Sequence, residues 1–185
     1  LTLIITFLVT GNPDQIERFE SGASGVAIDD DNFVYVTQQD TVVKYSVIED
    51  DDGTLSLKEE YASPSLGSKD DVTHLFVGDN YLYAVRGSYV LMIEDSGHDF
   101  SVVSSTSLDN RGSGIVVSGD YAYISMNENS VAVYDVSNGF FDYVDRMLYS
   151  EGGHIKGLAT NDEYLYALIN SCFKPESKGD EDPFP

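Results

Sequence analysis

The sequence predicts an all-β protein built from repeated four-stranded sheets, and three observations lead to this prediction. First, the 185 residues are 42% hydrophobic and include 13 Tyr and 9 Phe, and such residues fit the pleated, packed surface of a strand. Second, no long stretch shows the 3.6-residue period of a helix. Third, one aromatic phrase occurs four times, as DDNFVYVT (30–37), GDNYLYAV (78–85), GDYAYISM (119–126) and NDEYLYAL (161–168).

The spacing of this phrase indicates the architecture. Its first aromatic residues, Phe33, Tyr81, Tyr121 and Tyr164, are separated by 48, 40 and 43 residues. A period near 43 residues that contains only strand signals is typical of β-propeller blades. In YLYAV (81–85), alternate residues point to opposite faces, and both faces are apolar. Such a strand belongs to a sheet packed between two other sheets, as every propeller blade is.

Each unit is predicted to run through four strands in the same order. The first strand is a short apolar run: GVAI (25–28), HLFV (74–77), GIVV (114–117) and GLAT (157–160). The second strand is the aromatic phrase. The third strand is TVVKYSVI (41–48), YVLMIE (89–94) or SVAVYDV (130–136). The fourth, more polar strand is LSLKEEYA (55–62), FSVVSSTSL (100–108) or FDYVDRMLY (141–149). Asp52-Gly53 and Asn138-Gly139 suit the turns between third and fourth strands, which need positive φ angles.

The two ends of the chain supply the halves of a fourth unit. Residues 3–21 match a third and a fourth strand, whereas residues 157–169 match a first and a second strand. The predicted fold is therefore a β-propeller with three whole four-stranded blades and one blade split between the N- and C-termini. It is four-bladed if the chain closes in cis, eight-bladed if two chains exchange halves, or otherwise part of a larger propeller, since free half-blades leave sheet edges to be paired. We expect a propeller domain over 1–170 and a polar, acidic tail over 171–185.

The apolar start LTLIITFLVTG (1–11) also has the length of a signal-peptide core, but no charged segment precedes it. We favour a strand here, and the run is too short to span a bilayer as a helix. No transmembrane segment is predicted. Cys172 is the single cysteine, so it has no partner for a disulfide within the chain, and an inert thiol is favoured over pairing with another chain.

The charge balance excludes several classes of partner. The chain carries 32 Asp and Glu against 10 Lys and Arg, a net charge of −22. This surface repels phosphate backbones, so nucleic-acid binding is not expected, and an anionic membrane is a poor partner for the same reason. Acidity of this kind suits a salty or calcium-rich setting, or serves solubility alone.

SVAVYDVS (130–137), which follows YAYIS, resembles the LVIVD-type repeat, and YLYA (81–84) resembles the related YVTN-type surface propellers. The resemblance covers roughly residues 25–170. It implies a β-propeller and a secreted or cell-surface location, and it implies no catalytic residues. The difference is the number of blades, because such families usually have more than the chain shows.

Candidate binding residues lie in the loops that join second to third strands and in those that enter the next blade, where propellers commonly bind ligands. They are Gln38, Asp40, Arg86, Tyr89, Asn127, Asn129, His74 and His154. Arg86 and Tyr89 are the residue types that anchor partner surfaces.

The sequence gives little evidence for a metal site or a catalytic site. His74 and His154 with a carboxylate such as Asp40 would suit a metal in the central channel, but ordinary strand-end and loop positions explain both histidines. The acidic runs DDDN (29–32) and EDDDG (49–53) lack the ligand spacing of a helix-flanked calcium loop, which leaves a looser calcium site or, by default, solvated turns. No nucleophile elbow or phosphate loop is present, so no cofactor and no catalytic residue are predicted.

Three functions remain. The favoured one is a non-catalytic interaction or structural module, extracellular or on the cell surface, with a protein or glycan partner or other copies of itself. The second is a propeller enzyme, lactonase- or lyase-like, with a channel metal. The third is a subunit of a filament or sheath assembled by half-blade exchange.

Overall fold

The computed structural model describes residues 23–67, 70–127, 129–149, 153–161 and 163–170, and the backbone of two short strands at 3–6 and 16–19. Within these residues, every regular element is a β-strand. The described part of the chain therefore offers no apolar helix long enough to cross a membrane.

The chain begins with a two-stranded antiparallel sheet and continues with three four-stranded antiparallel sheets, which confirms the three predicted blades. The first sheet consists of β1 (Leu3–Thr6) and β2 (Ile16–Phe19). Blade I consists of β3 (Ala23–Ile28), β4 (Val34–Gln38), β5 (Thr41–Glu49) and β6 (Leu55–Ala62). Blade II consists of β7 (Val72–Val77), β8 (Leu82–Arg86), β9 (Tyr89–Asp95) and β10 (Phe100–Ser107). Blade III consists of β11 (Gly112–Ser118), β12 (Tyr121–Met126), β13 (Ser130–Asp135) and β14 (Asp142–Leu148).

A final two-stranded sheet, the C-terminal half-blade, consists of β15 (His154–Thr160) and β16 (Leu165–Asn170). The first strands of successive units pack side by side in the order β3, β7, β11 and β15. This order is the arc of a propeller, in which first strands line the axis and fourth strands lie outermost.

The four units share one detail of register. The pairing of first and second strands shifts by one residue, giving a bulge, and the shifted pairs are Gly25 with Thr37, His74 with Val85, Gly114 with Ser125 and Gly157 with Leu168. A bulge at the same place in every unit defines equivalent positions along the chain. The half-blade is therefore built like the inner half of a whole blade.

The core lies between the blades, as expected for strands that are apolar on both faces. One buried cluster joins blades II and III through residues such as Tyr83, Val85 and Ile115, and a second joins blades I and II through residues such as Tyr35 and Leu91. Burial of each such side chain contributes about 1.5–3 kcal/mol. Contacts between blades thus stabilise the arc.

The two terminal sheets remain separate. β1 pairs with β2, and β15 pairs with β16, but none of the described residues pairs the N-terminal sheet with the half-blade. Strand pairing among the described residues therefore does not close the arc in cis. The predicted tail at 171–185 lies outside the described residues.

Candidate functional site

The loops leave the arc at two opposite ends. We call the end with the loops from first to second and from third to fourth strands the acidic end. Its described loops are 29–33, 50–54, 78–81, 96–99, 119–120, 136–141, 161 and 163–164. The other end, which we call the linker end, carries the loops from second to third strands and the connections between blades.

Charge is segregated between these ends. The described loops of the acidic end contain no Lys or Arg, and their acidic residues are Asp29, Asp30, Asp31, Asp50, Asp51, Asp52, Asp79, Asp99, Asp120 and Glu163. The linker end mixes acidic residues such as Asp71 and Asp109 with Arg111. Because charges of one sign add their fields at one end, that end attracts cations.

Some of these carboxylates are used to build turns. Asp29 Oδ1 accepts a hydrogen bond of 2.8 Å from the backbone N–H of Phe33, and Asp52 Oδ1 accepts one of 2.9 Å from that of Thr54. The hydrogen bonds from Thr54 lower the pKa of Asp52 below its ordinary value. Such side-chain turns are a common use of Asp in loops.

Other carboxylates face open grooves between blades. Among the described residues, no donor forms a hydrogen bond to the side-chain carboxylates of Asp79, Asp120 and Glu163. These three residues occupy the same turn in successive units, directly before the aromatic strand. They are therefore among the carboxylates available to a ligand.

Three grooves repeat along the acidic end. The groove between blades I and II has a volume of about 440 Å³ and is lined by Asp30, Asp79, Tyr35 and Tyr81 among others. The groove between blades II and III has a volume of about 300 Å³. The groove between blade III and the half-blade has a volume of about 390 Å³.

The lining of the second and third grooves follows the pattern of the first. The second contains Asp79, Tyr81 and Asp120, and the third contains Asp120, Tyr121, Tyr123, Glu163 and Tyr164. Each groove therefore offers carboxylates beside tyrosine rings, and each is large enough for a side chain.

A buried lysine beside the first groove shows what such surroundings bind. Lys44 Nζ lies 2.8 Å from Asp95 Oδ2 and 3.9 Å from the centre of the Phe33 ring. The rings of Tyr35 and Tyr61 lie 5.4 and 5.7 Å from the same nitrogen. A lysine ammonium is thus held by one carboxylate within a group of aromatic rings, which combines an ion pair with cation–π attraction.

The acid–base properties of this cluster follow from its packing. Burial raises the pKa of Asp95, but hydrogen bonds from Lys44 and Tyr61 outweigh that effect, so the pKa of Asp95 lies below its ordinary value. Burial, with the nearby carboxylates of Asp29 and Asp95, raises the pKa of Tyr35, and burial with Asp95 raises that of Tyr61. At neutral pH, Asp95 is therefore ionised, and Tyr35 and Tyr61 are neutral.

The residues predicted as binding candidates lie at the linker end, where several are engaged in internal contacts. The Gln38 amide donates to the Tyr45 hydroxyl at 3.1 Å, and the Asp40 carboxylate accepts from the Ser65 hydroxyl. The first contact lies within blade I, and the second holds the connection between blades I and II.

Arg86 is buried, with 8% of its surface exposed. Its guanidinium donates to the carbonyl of Leu66 and lies 5.6 Å from the ring centre of Tyr89, which is 45% exposed. Within the described structure, Arg86 Nε has no hydrogen-bond partner. Arg86 therefore stabilises the connection between blades, and Tyr89 is the more accessible of the two.

Asn127 and His154 meet across the boundary of blade III and the half-blade, where His154 Nδ1 lies 3.2 Å from the carbonyl oxygen of Asn127. Asn129 adopts a positive φ of 55°, and its backbone carbonyl accepts a 2.9 Å hydrogen bond from Tyr149. His74 lies on the first strand of blade II, and its side chain is exposed to solvent. The protein atoms around its ring still remove part of its hydration, which lowers the pKa of His74 below the ordinary value. The structure thus pairs Arg86 with Tyr89 and Asn127 with His154, but does not assemble the eight candidates into one site.

The proposed channel metal is likewise not assembled. Among the described residues, no three His, Cys, Asp or Glu side chains converge in a way that could hold a metal ion. Cys172 lies outside those residues.

The sequence contained a signal for the acidic end that our prediction did not use. Each aromatic phrase contains Asp or Glu ahead of its first aromatic residue, and assigning these residues to the turn before the second strand would have placed them at one end. The prediction instead treated the acidic runs as solvated turns.

Comparisons with known proteins support the fold. The family model for the LVIVD repeat matches residues 111–139, which correspond to the first three strands of blade III. Among solved structures, the chain is similar to BamB from Moraxella catarrhalis, with 12% identity and a TM-score of 0.59. The match covers 82% of this chain and 46% of the BamB chain, so this chain spans less than half the length of that propeller. No match was found among curated protein sequences. The chain is thus a β-propeller repeat protein, and its third blade is similar to the LVIVD repeat.

Proposed function

We propose that the protein is a non-catalytic protein-interaction module whose acidic end binds a basic segment of a partner protein. The observation that carries the proposal is the row of grooves that combine carboxylates with tyrosine rings. Propellers present rigid sets of loops to their partners, so side chains there are positioned before binding.

The chemistry of the grooves fits Lys and Arg side chains. Each can place a cation beside Asp79, Asp120 or Glu163 and lay its aliphatic part or its cation on a tyrosine ring. Lys44, which Asp95 and three aromatic rings hold inside the fold, is an internal example of the same recognition.

Repetition strengthens weak contacts. An exposed ion pair contributes only about 0.2–1 kcal/mol, but a basic segment that enters several grooves forms its later contacts within one complex, at a high effective concentration. The grooves occupy equivalent positions in successive units, so an extended segment can follow the arc.

The test uses a fluorescein-labelled peptide of about ten alternating Lys and Arg residues and measures anisotropy at about 50 and 300 mM NaCl. The triple variant Asp79→Asn, Asp120→Asn, Glu163→Gln neutralises the carboxylate that the same turn of three successive units contributes to the grooves. We expect the dissociation constant to rise about tenfold, in line with about 0.5 kcal/mol for each contact.

The control variant removes the same charge elsewhere, through Glu59→Gln and Asp145→Asn on outer strands and Asp71→Asn at the linker end. We expect a change of less than about threefold, because these residues line none of the grooves. Equal weakening by both variants would show attraction to net charge alone and would contradict the proposal, as would a parent chain that does not bind the peptide at low salt.

Location outside the cell or on its surface stays a prediction from composition and family resemblance. A glycan partner and bound calcium are likewise predictions that the structure does not test.

A further inference from the structure

A further groove lies between the fourth strands of blades II and III, away from the acidic end. Its volume is about 430 Å³, within the range of about 300–1,000 Å³ that is usual for small-molecule sites. Met126, Ala132 and Tyr134 line it and are buried, so its floor is apolar. Both blades that form it are whole. We call it the rim groove.

One wall of the rim groove is aromatic. Tyr143 on β14 is 60% exposed and lines the groove together with Phe141. The ring of Tyr134 lies between these two, 5.7 Å from the Tyr143 ring centre at 78° and 5.8 Å from the Phe141 ring centre at 86°. Such edge-to-face contacts hold rings in place. Tyr143 is therefore a positioned ring that a ligand can reach.

The edge of the rim groove is polar. Arg146 of β14 lies across from Asp109 of the connection between blades, with 3.7 Å between Arg146 Nη1 and Asp109 Oδ2, and the Asp109 side chain is 85% exposed. The hydroxyl-bearing residues Thr106 and Ser107 of blade II lie beside them. A guanidinium only donates hydrogen bonds and a carboxylate only accepts them. The pair thus offers both functions while its charges cancel.

These polar and aromatic side chains are specific to this boundary. By the pairing of third and fourth strands, which has a bulge at the same place in both blades, Tyr143 is equivalent to Val102 of blade II, and Arg146 is equivalent to Ser105. Blade II therefore builds the same strand with a smaller aliphatic side chain and a hydroxyl. The fold does not require a ring and a guanidinium at these positions, which favours a role in binding.

We propose that the rim groove binds an uncharged saccharide of β-linked glucose units, with a pyranose ring stacked on Tyr143 and sugar hydroxyls bonded to Asp109 and Arg146. All ring substituents of such a unit are equatorial, so its axial C–H groups form flat apolar faces that suit an aromatic ring. Each hydroxyl both donates and accepts, which matches a carboxylate beside a guanidinium. This inference is independent of the proposed binding of a basic segment, because none of the carboxylates in that proposal lines the rim groove.

The charges around the groove favour a neutral ligand. Arg146 repels a cationic group, and Asp109 together with the net charge of −22 repels an anionic one. A proline-rich peptide could also pack on Tyr143, but its prolines have no N–H to donate to Asp109. An uncharged saccharide uses both the ring and the polar edge.

The experiment is saturation-transfer NMR on the 185-residue chain with cellobiose as the probe. We expect the strongest transfer to the ring C–H protons that share one face of a glucose unit, and a dissociation constant of about 1 mM, since the ligand is small and the site is open. The constant should stay the same between about 50 and 300 mM NaCl, because the ligand is uncharged. Binding of the basic peptide should weaken over that range, so the two proposals fail separately.

Four variants test the contacts. Tyr143→Val introduces the residue of the equivalent position in blade II and should raise the dissociation constant about tenfold, whereas Tyr143→Phe keeps the ring and should stay within about threefold. Asp109→Ala should raise it about fivefold through loss of the acceptor. The control Tyr164→Val removes a ring that is also 60% exposed, but at the acidic end, and should change nothing. All three positions are exposed, so each variant should fold, which circular dichroism verifies.

A parent chain that shows no saturation transfer to about 10 mM cellobiose overturns the proposal. It is also overturned if Tyr143→Val binds as the parent does, if Tyr143→Phe loses as much as Tyr143→Val, or if the Tyr164 control weakens binding equally. Decaproline that displaces cellobiose and itself depends on Tyr143 would assign the groove to a peptide instead.

Discussion

The half-blade and the whole blades have the same backbone register but different burial. At the position that follows the shared bulge, Thr37 and Val85 are fully buried and Ser125 is 1% exposed, whereas Leu168 is 69% exposed. The residue with the largest apolar side chain of the four is thus the one left in solvent. Hydrogen bonding between two strands sets the register, but neighbouring sheets on both faces are needed to bury the side chains.

This difference shows where the stability of a propeller resides. In a whole blade, the first two strands are covered by the next blade and by the third strand, and among the described residues the half-blade has neither. The hydrophobic contribution to the free energy of unfolding depends on the apolar area removed from water. The same strand therefore contributes much to stability in a whole blade and little in the half-blade.

The largest contrast is expected from truncation of buried and exposed aliphatic side chains. Ile124→Ala on the second strand of blade III should lower the free energy of unfolding by about 3 kcal/mol, because Ile124 is fully buried and a cavity remains. Leu168→Ala should change it by less than about 0.5 kcal/mol. Urea unfolding of the two variants measures both. A cost for Leu168→Ala as large as that for Ile124→Ala would mean that the half-blade is covered in solution.

A smaller effect is expected from replacing Lys44, which forms an ion pair between blade I and blade II. Lys44→Met removes the partner of Asp95, and the two side chains are 11% and 17% exposed. We expect a loss of about 2 kcal/mol, less than for a fully enclosed pair because some solvent reaches both groups. Lys58→Met is the control, since Lys58 is 59% exposed in its pair with Glu60 and should cost less than about 0.5 kcal/mol. Similar losses for both lysines would contradict this account of the boundary.

The same pair predicts a pH dependence. The pKa of Asp95 is lower in the folded chain than its ordinary value, so its ionisation stabilises the fold above about pH 4. This contribution is lost as the pH falls through the lowered pKa. Between about pH 5 and pH 2 the parent should therefore lose more stability than Lys44→Met, in which nothing replaces the ammonium. Parallel pH curves for the two proteins would count against the assignment.

The smallest effect concerns the glycine at the bulge. A Cβ at Gly114 would lie 2.9 Å from Ser125 Oγ, which is bonded to Ser113 Oγ at 3.1 Å, whereas a Cβ at Gly157 would lie 4.0 Å from the nearest atom, Leu168 Cβ. Gly114→Ala should cost about 1 kcal/mol through loss of that hydrogen bond. Gly157→Ala should be close to neutral. Thermal unfolding of the two variants side by side measures the difference, and an equal shift in both would show that the two bulges are equally crowded.

Much of the fold was predictable from the chain. The aromatic phrase marked each second strand, and Gly53 and Gly139 have the positive φ angles, 81° and 76°, expected at the turns between third and fourth strands. These features depend on residues close together in sequence, so local patterns carry them.

Less of the candidate site was predictable. Arg86 has the residue type of a surface anchor, but its burial depends on the loop around Leu66, which reaches it from the previous connection. Lys44 meets Asp95 only because blade I packs on blade II, and no local pattern joins residues 51 apart in the chain. The grooves of the acidic end form between blades, so their lining also depends on packing.

The amino-acid sequence by itself determined a set of equivalent β-units with a common register, because strand pairing within a hairpin depends on alternation and on turn residues. Tertiary structure alone decided which equivalent side chains are buried, which carboxylates meet in grooves and which ends stay uncovered. These properties depend on the sheets that surround each strand, and a sheet's neighbours are set by the packing of the whole arc.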